Sequence, residues 1–503
     1  MMPLWKKMRE KNLNTVITPV TWELTEPEEG RFDFTLVDSM IAGARHENLK
    51  LVLLWFGSWK NGSSTYVPAW VKKNTKRFPL VRYDNGEAYN TLSPLSNNSM
   101  LADAKAFGEL MRHLKEVDKE HTVLMVQLEN EIGTLDFSAF SKKTPNRSMR
   151  DYSATANTAF KGQVPEALMR YLNEHKRDLH PAIAKAWKSN GARNKGTWEQ
   201  VFGKGLPPKA FDRNAPGVMT DNAWQDEYPY LTEEVFNAWY YASYVEKLAV
   251  KAKEIYPLPL FVNAWIKQRF GREPGVYPSG GAQPHLFDIW RAAAPDIDIF
   301  ATDIYSIDIY DWVCSSFNSK NNPLFIPETT ATPDGAARAF YTFGKYQTLC
   351  YSPFGIDDKS IANDPSFANA YGMLAHLQPL INKYSATERM TGLMVSKDHM
   401  SDVKTMGKYN VRASSLDSGD VAGLIVFQIA DDEFIIAGGV GGIVASFEKS
   451  TNNKANHVAM LSLDEITFDA YGRPLYHRLN GDELTATIHK GEVKAFKVKL
   501  YEY

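Results

Sequence analysis

Seven short apolar runs, separated by helix-like or loop-like stretches, constrain this chain more than any other feature. They are LNTVITPVTW (13–22), LKLVLLWFG (49–57), TVLMVQLENE (122–131), PLFVNAWI (259–266), DIFATDIY (298–305), PLFIPET (323–329) and LCYSPFGI (349–356). Helical sequence precedes the first, in PLWKKMREKN, and fills the gaps, in TLVDSMIAGARHEN, LADAKAFGELMRHLKEVDKEH and EEVFNAWYYASYVEKLAVKAKEIYP. Strand–helix alternation of this kind implies a parallel sheet covered by helices. An open doubly wound sheet and a closed barrel both fit. No glycine-rich phosphate loop follows the first strand, which counts against a nucleotide-binding open sheet. Glu131, Asn263, Asp303, Tyr305 and Glu328 stand at the C-terminal ends of their runs, where barrels carry chemistry. The expected fold is α/β, a (β/α)8 TIM barrel. Seven runs rather than eight are present and the chain opens on a helix. The expectation is therefore that the first strand lies upstream of Met1, because a barrel lacking one strand exposes two unpaired edges.

The pattern changes near Met406. AGLIVFQIADDEFIIAGG, HVAMLSLDEITFDAYG and LTATIHKGEVKAFKVKLYEY alternate with period two, and NGDE reads as a hairpin turn. The organisation expected is a catalytic barrel over 1–390, with a long insertion after the third strand, and a C-terminal all-β sandwich over 391–503.

Composition narrows the function classes. A net charge of -2 argues against a dedicated nucleic-acid binder and gives no sign of a polybasic membrane patch. No apolar run is long enough to span a bilayer. The 2 cysteines, Cys314 and Cys350, make neither a disulfide framework nor a metal cluster. The 11 histidines show no H-E-x-x-H spacing, and no G-x-S-x-G elbow is present, so neither a metal nor a serine nucleophile is expected. Aromatic residues make up 12% of the chain, which suits a large core or rings that stack on sugar faces.

Acidic groups at a strand end cost desolvation unless something there uses them. The run TVLMVQLENEIG (122–133) ends in two glutamates around an asparagine. Hydrolysis of a glycosidic bond needs two carboxyl groups, one to protonate the leaving oxygen and one to attack the anomeric carbon or activate water. Glu131 and Glu328, ending the third and sixth runs, fit that requirement, and Asn130 can donate to a sugar hydroxyl. Trp265, Trp59 and Trp55 are sugar platforms or structural tryptophans. Asn263 and Asn61 are candidate readers of hydroxyls. Tyr305 is either a hydrogen-bond partner of Glu328 or a packed core tyrosine. Glu129 points away from its neighbour if the strand persists. Glu23, Glu26, Glu28 and Glu29 cap and solvate a turn around Pro27.

The segment from Leu13 to Gly57, with its W-x-L-x-E-P-x-x-G-x-F-D-F run at Trp22 to Phe34, resembles the early barrel of glycoside hydrolase family 35, the β-galactosidases. VPAWV and VQLENEIG resemble it too, and the closest likeness is to the bacterial branch with a modified β domain. The resemblance implies that Glu131 is the acid/base and Glu328 the nucleophile, on strands four and seven of a complete barrel. Three departures stand out: Pro19 replaces a usual tyrosine, FGSWKNGSSTY replaces an acidic sugar-contacting motif, and Ile132 stands where an aromatic is common. The expected activity is a retaining exo-β-galactosidase without cofactor, acting on oligo- or polysaccharides. The alternatives are a related barrel glycosidase (β-glucosidase, exo-β-glucosaminidase or endo-glycanase) and a non-catalytic carbohydrate-binding barrel. The family is usually exported, so a periplasmic or secreted location is expected for the full-length protein.

Overall fold

The computed structural model describes residues 2–136, 149–204, 231–267, 274–305, 309–319, 321–358, 364–417, 419–451 and 457–503. The chain divides into two compact units, Thr15–Phe317 and a second made of Met1–Asn14 with Asn318–Tyr503.

Each of the seven apolar runs forms a strand. In the larger unit these are β1 (Thr15–Thr21), β2 (Lys50–Lys60), β3 (Val123–Asn130), β4 (Leu260–Trp265) and β5 (Ile299–Ile304), parallel and hydrogen-bonded in chain order. β4 and β5 are buried almost throughout, as parallel strands covered on both faces must be. Helix α1 (Thr35–His46) follows β1, and α2 (Asn97–Val117) follows β2 after a short hairpin of Leu80–Arg82 and Ala88–Leu92 that the sequence pattern did not reveal. Ser96 caps α2 by accepting from Ser99 N, which fixes where that helix starts. After β3 comes the expected insertion, with helices Ala154–Lys161, Glu166–Glu174, Pro181–Ser189 and Trp198–Phe202. Its remainder, 137–148 and 205–230, lies outside the described residues. Helix α3 (Leu231–Ile255) then leads to β4.

The smaller unit takes up the same alternation. β6 (Phe325–Thr329) and β7 (Cys350–Pro353) pair in parallel, with α4 (Pro333–Tyr346) between them and α5 (Ser366–Tyr384) after them. The N-terminal helix Met2–Glu10 belongs here, and Asn12 Nδ2 just beyond it donates to Ala368 O at 2.9 Å. The fold class is the expected one: a seven-strand, helix-covered parallel arrangement of the TIM-barrel type, followed by an all-β region.

That region is a two-sheet sandwich, and it begins before the alternation becomes legible. The strands are β8 (Met390–Val395), β9 (Ser401–Met406), β10 (Tyr409–Ser415), β11 (Ala422–Gln428), β12 (Glu433–Val440), β13 (Ile443–Lys449), β14 (Val458–Phe468), β15 (Pro474–Leu479), β16 (Ala486–Ile488) and β17 (Val493–Glu502). One antiparallel sheet has the order β8-β11-β12-β17-β14-β15 and the other β9-β10-β13-β16. Leu393, Val426, Ile436 and Val498 of the first sheet share a core with Tyr409, Val411, Ile443 and Ile488 of the second. The NGDE stretch is not a hairpin turn. Gly481–Glu483 is a 3-10 turn that carries the chain from β15 in one sheet to β16 in the other. Asn480 and Glu483 close it as a capping box, so the polar pattern marks a crossover. Neither cysteine is in a disulfide.

Helix α4 packs on the sandwich rather than only on its own strands. Its backbone runs so close that a Cβ on Gly392 of β8 would collide with the Tyr341 carbonyl, and one on Gly423 of β11 with the Ala337 carbonyl. Ordinary side chains at these points would push the helix off the sheet. Gly423→Val is expected to lower stability by about 1–3 kcal/mol, the usual cost of overpacking, read as a lower denaturation midpoint at unchanged m-value.

Candidate active site

The C-terminal end of β3 is held in an unusual backbone path. Glu129 and Glu131 both have positive φ, 60° and 48°, on either side of Asn130. Left-handed conformations in residues with a Cβ cost roughly 1–3 kcal/mol each and persist only where the surroundings over-determine them. Here they do. Gln127 Nε2 donates to Glu129 O at 2.8 Å, Asn61 N to Asn130 O at 3.0 Å, and Glu131 N to Asn263 Oδ1 at 2.9 Å.

The neighbouring strand supplies the fourth restraint. From Val52 against Met125, β2 pairs with β3 in register up to Trp55 against Leu128, and pairing resumes at Lys60 against Asn130. Phe56, Gly57, Ser58 and Trp59 therefore bulge opposite the single residue Glu129. Such a bulge leaves amides without ladder partners. The Glu129 carboxyl takes two of them, accepting from Ser58 N at 3.1 Å and Trp59 N at 2.7 Å. Glu129 therefore points into the interior, fully buried, and does not border the cleft.

Beside it lies Asp103 of α2, also fully buried. Asp103 accepts from Trp55 Nε1 (2.8 Å), Ser58 N (3.1 Å), Ser58 Oγ (2.6 Å) and Tyr244 OH of α3 (3.2 Å). Burial raises the proton affinity of both acids. It raises that of Glu129 furthest, with the Asp103 charge adding to it, and the hydrogen bonds Asp103 receives work in the opposite direction. The same surroundings push the Tyr244 hydroxyl well above its ordinary range, chiefly by burial.

Glu131 itself is buried. One of its carboxylate oxygens lies within 4.8 Å of one from Asp303, near the end of β5. Asn263 of β4 joins the two acids. Its Oδ1 accepts from the Glu131 amide and from Gln127 Nε2 (2.9 Å), and its Nδ2 donates to Asp303 Oδ2 at 2.7 Å. Three hydrogen bonds make this buried amide a support for its neighbours.

The other sequence candidates separate clearly. Trp59 is 1% exposed, its indole N–H bonds the Leu92 carbonyl at 3.0 Å, and its ring packs on Tyr241 and Tyr244. It is a core side chain and offers no face to a ligand. Trp55 is equally buried, bonded to Asp103. Trp265, at the end of β4, keeps a partly exposed side chain. Asn61 is half-buried at the bulge, with Oδ1 accepting from Lys60 Nζ at 2.6 Å. Tyr305, just after β5, is 37% exposed, which excludes the core-tyrosine alternative. Glu328 sits within β6, half-buried between Pro327 and the buried Thr329. Glu26 does not solvate its turn. It is buried and accepts from Trp22 Nε1 (2.8 Å) and Gly30 N (2.7 Å). Sequence reasoning missed Gln127, Asp103 and the role of Asp303. For Asp103 the available signal was an acid on the buried face of an amphipathic helix.

Two family models match the chain. Residues 4–186, which include Asn130 and Glu131, match the glycoside hydrolase family 42 model, described as "Beta-galactosidase". The match covers the N-terminal third or so of the chain and is a similarity to a glycoside hydrolase family. The family 35 likeness is thereby corrected, since the match is to family 42. Residues 367–490 match a model described as "Domain of unknown function (DUF5597)". No curated protein matches the sequence. Among solved structures, the catalytic domain of β-amylase from Paenibacillus polymyxa aligns at 15% identity over 76% of this chain and 94% of its own, with a TM-score of 0.47. The β-galactosidase from Bacillus circulans sp. alkalophilus aligns at 12% identity over 98% and 96%, with a TM-score of 0.48. That from the psychrophilic Marinomonas ef1 aligns at 13% identity over 76% and 58%, with a TM-score of 0.45. Among the described residues no helix is long and apolar enough to cross a membrane.

The arrangement predicts that Asn263→Ala is costly out of proportion to its size. It strips an acceptor from two buried donors and a donor from Asp303, at about 1–3 kcal/mol for each group left unsatisfied. The expected result is a lowered denaturation midpoint. Asn263→Asp should also fail, because a third carboxylate would face Asp303.

Proposed function

We propose that the protein is a retaining exo-β-galactosidase, with Glu131 as acid/base and Glu328 as nucleophile. One observation carries the reading: the segment matching the "Beta-galactosidase" family contains Asn130–Glu131, and that pair stands rigidly at the C-terminal end of a parallel strand. Glu328 near the end of β6 is the partner that the strand spacing calls for.

In this mechanism Glu328 attacks the anomeric carbon while Glu131 gives its proton to the leaving oxygen. A glycosyl–enzyme ester forms at Glu328. Glu131, now a carboxylate, takes a proton from water, which attacks the same carbon and releases the sugar with its configuration retained. Double displacement of this kind calls for carboxyl groups about 5–5.5 Å apart. Asn130 is assigned to a sugar hydroxyl, and Tyr305, Trp265 and Asn61 to the rim that meets the substrate. The substrate is a terminal β-galactoside of an oligo- or polysaccharide. No cofactor is needed for either step.

Purified protein assayed on a panel of aryl β-glycosides tests the reading. Turnover is expected on the galactoside, lost in Glu328→Gln. In Glu131→Gln, kcat should fall about 10²–10⁴-fold on substrates with poor leaving groups and less on activated aryl ones, which need no protonation. Higher turnover on a gluco- or glucosaminide would reassign the sugar. Binding of galactosides without turnover would mark a carbohydrate-binding barrel.

A further inference from the structure

We propose that Asp103 and Glu129 are positioning residues for Asn130–Glu131, acting as one buried acid–carboxylate pair that holds a single proton. The proposal rests on the reading of Glu131 as acid/base. It assigns work to two acids that the hydrolytic mechanism does not use.

The geometry fixes the pair. A Cβ on Gly57 would lie 2.7 Å from Asp103 Oδ1 and 2.8 Å from Glu129 Oε1, so both oxygens face one point over the bulge, and the two side chains hydrogen-bond each other. Glycine there is what lets them meet. Two fully buried carboxyl groups in contact cannot both be ionised, because their repulsion is unscreened and water is excluded. The groups facing them are Trp55, Ser58 and Trp59 from β2 and Tyr244 from α3, and none of these carries a positive charge. Neutralisation therefore has to come from a proton.

The donors decide which acid holds it. Trp55 Nε1 and the mutually bonded Ser58 and Tyr244 hydroxyls are directed at Asp103, the Ser58 amide is shared between the two acids, and the Trp59 amide is directed at Glu129. The better-solvated carboxyl is the one that stays ionised. Glu129 is therefore the acid and donates to Asp103. In that state it still accepts both bulge amides and keeps β3 in its left-handed path. Loss of the proton would set two anions against each other directly beneath Asn130 and Glu131.

The test compares Glu129→Gln, Glu129→Ala and Asp103→Asn in the full chain. Glutamine copies the neutral acid, with one acceptor and one donor, so Glu129→Gln should keep thermal stability and leave kcat within about threefold of wild type. Asp103→Asn presents an amide to the donors that meet Asp103 and should lose both. Glu129→Ala should lower kcat by about tenfold or more with little change in KM, because the substrate contacts remain. Folding raises the proton affinity of Glu129 above its unfolded value. The stabilisation is thus complete below the usual carboxylate range and is lost as pH rises through the raised folded value. Wild type should show that alkaline loss and Glu129→Gln should lack it. An infrared difference spectrum of wild type against Glu129→Gln at neutral pH should contain the carbonyl stretch of a protonated carboxylic acid, which needs no activity and no weakened variant. Absence of that band overturns the proposal. So does Glu129→Gln proving as damaging as Glu129→Ala, or Asp103→Asn being the tolerated change. An enzyme inactive on every glycoside would sink the reading of Glu131, while the band and the order of stabilities would still judge the pair.

Discussion

A carboxyl group survives inside a parallel sheet only if donors converge on it, and the end of β3 is organised around that requirement. Left-handed residues on both sides of Asn130 would relax if the chain were free. They are held because the Glu129 carbonyl, the Asn130 carbonyl and the Glu131 amide each have a partner, the first from Gln127 of the same strand. Asn61 and the Glu129 side chain tie it to β2, and Asn263 ties it to β4. The direction of the Glu131 side chain is therefore fixed by its neighbours before any substrate arrives. In enzymes generally, such prior fixation is where much of the catalytic advantage lies.

The parallel strands were legible because most are short apolar runs, least broken in β4 and β5, which are buried almost throughout. The hairpin at Leu80–Arg82 and Ala88–Leu92 escaped because strands of three and five residues carry too little pattern. The sandwich was expected over 391–503 and begins at Met390, although the period-two pattern becomes clear only near Met406. β8 and β9 were missed for opposite reasons: β8 is buried along almost its whole length and shows no alternation, and most of β9 is polar and exposed.

At the site, the sequence marked Glu131, Asn130 and Glu328 through their place at strand ends, and it flagged Asn263 without its role. What it could not show is how a side chain is spent. Trp59 and Trp265 look equivalent as letters, yet one is packed between two tyrosines while the other keeps partial exposure. Strict alternation would put Glu129 on the face of Glu131 and opposite Asn130, but the left-handed turn breaks the alternation and aims it into the interior. Nothing in the letters says that it meets an acid from a helix twenty-six positions earlier, because that contact depends on a bulge whose length only the register between β2 and β3 sets.

The glycine-lined seat of α4 on β8 and β11 also governs how the chain can be divided. The strand carrying Glu328 leads straight into that helix, and the helix lies against the sandwich with no room for a side chain between them. Excising the all-β region at residue 390 would strip the cover from one flank of α4 and leave β11 with a bare groove where the helix had been. A graft that exchanged this region for another protein's would have to carry α4 with it, or recreate a surface free of Cβ atoms at both contact points.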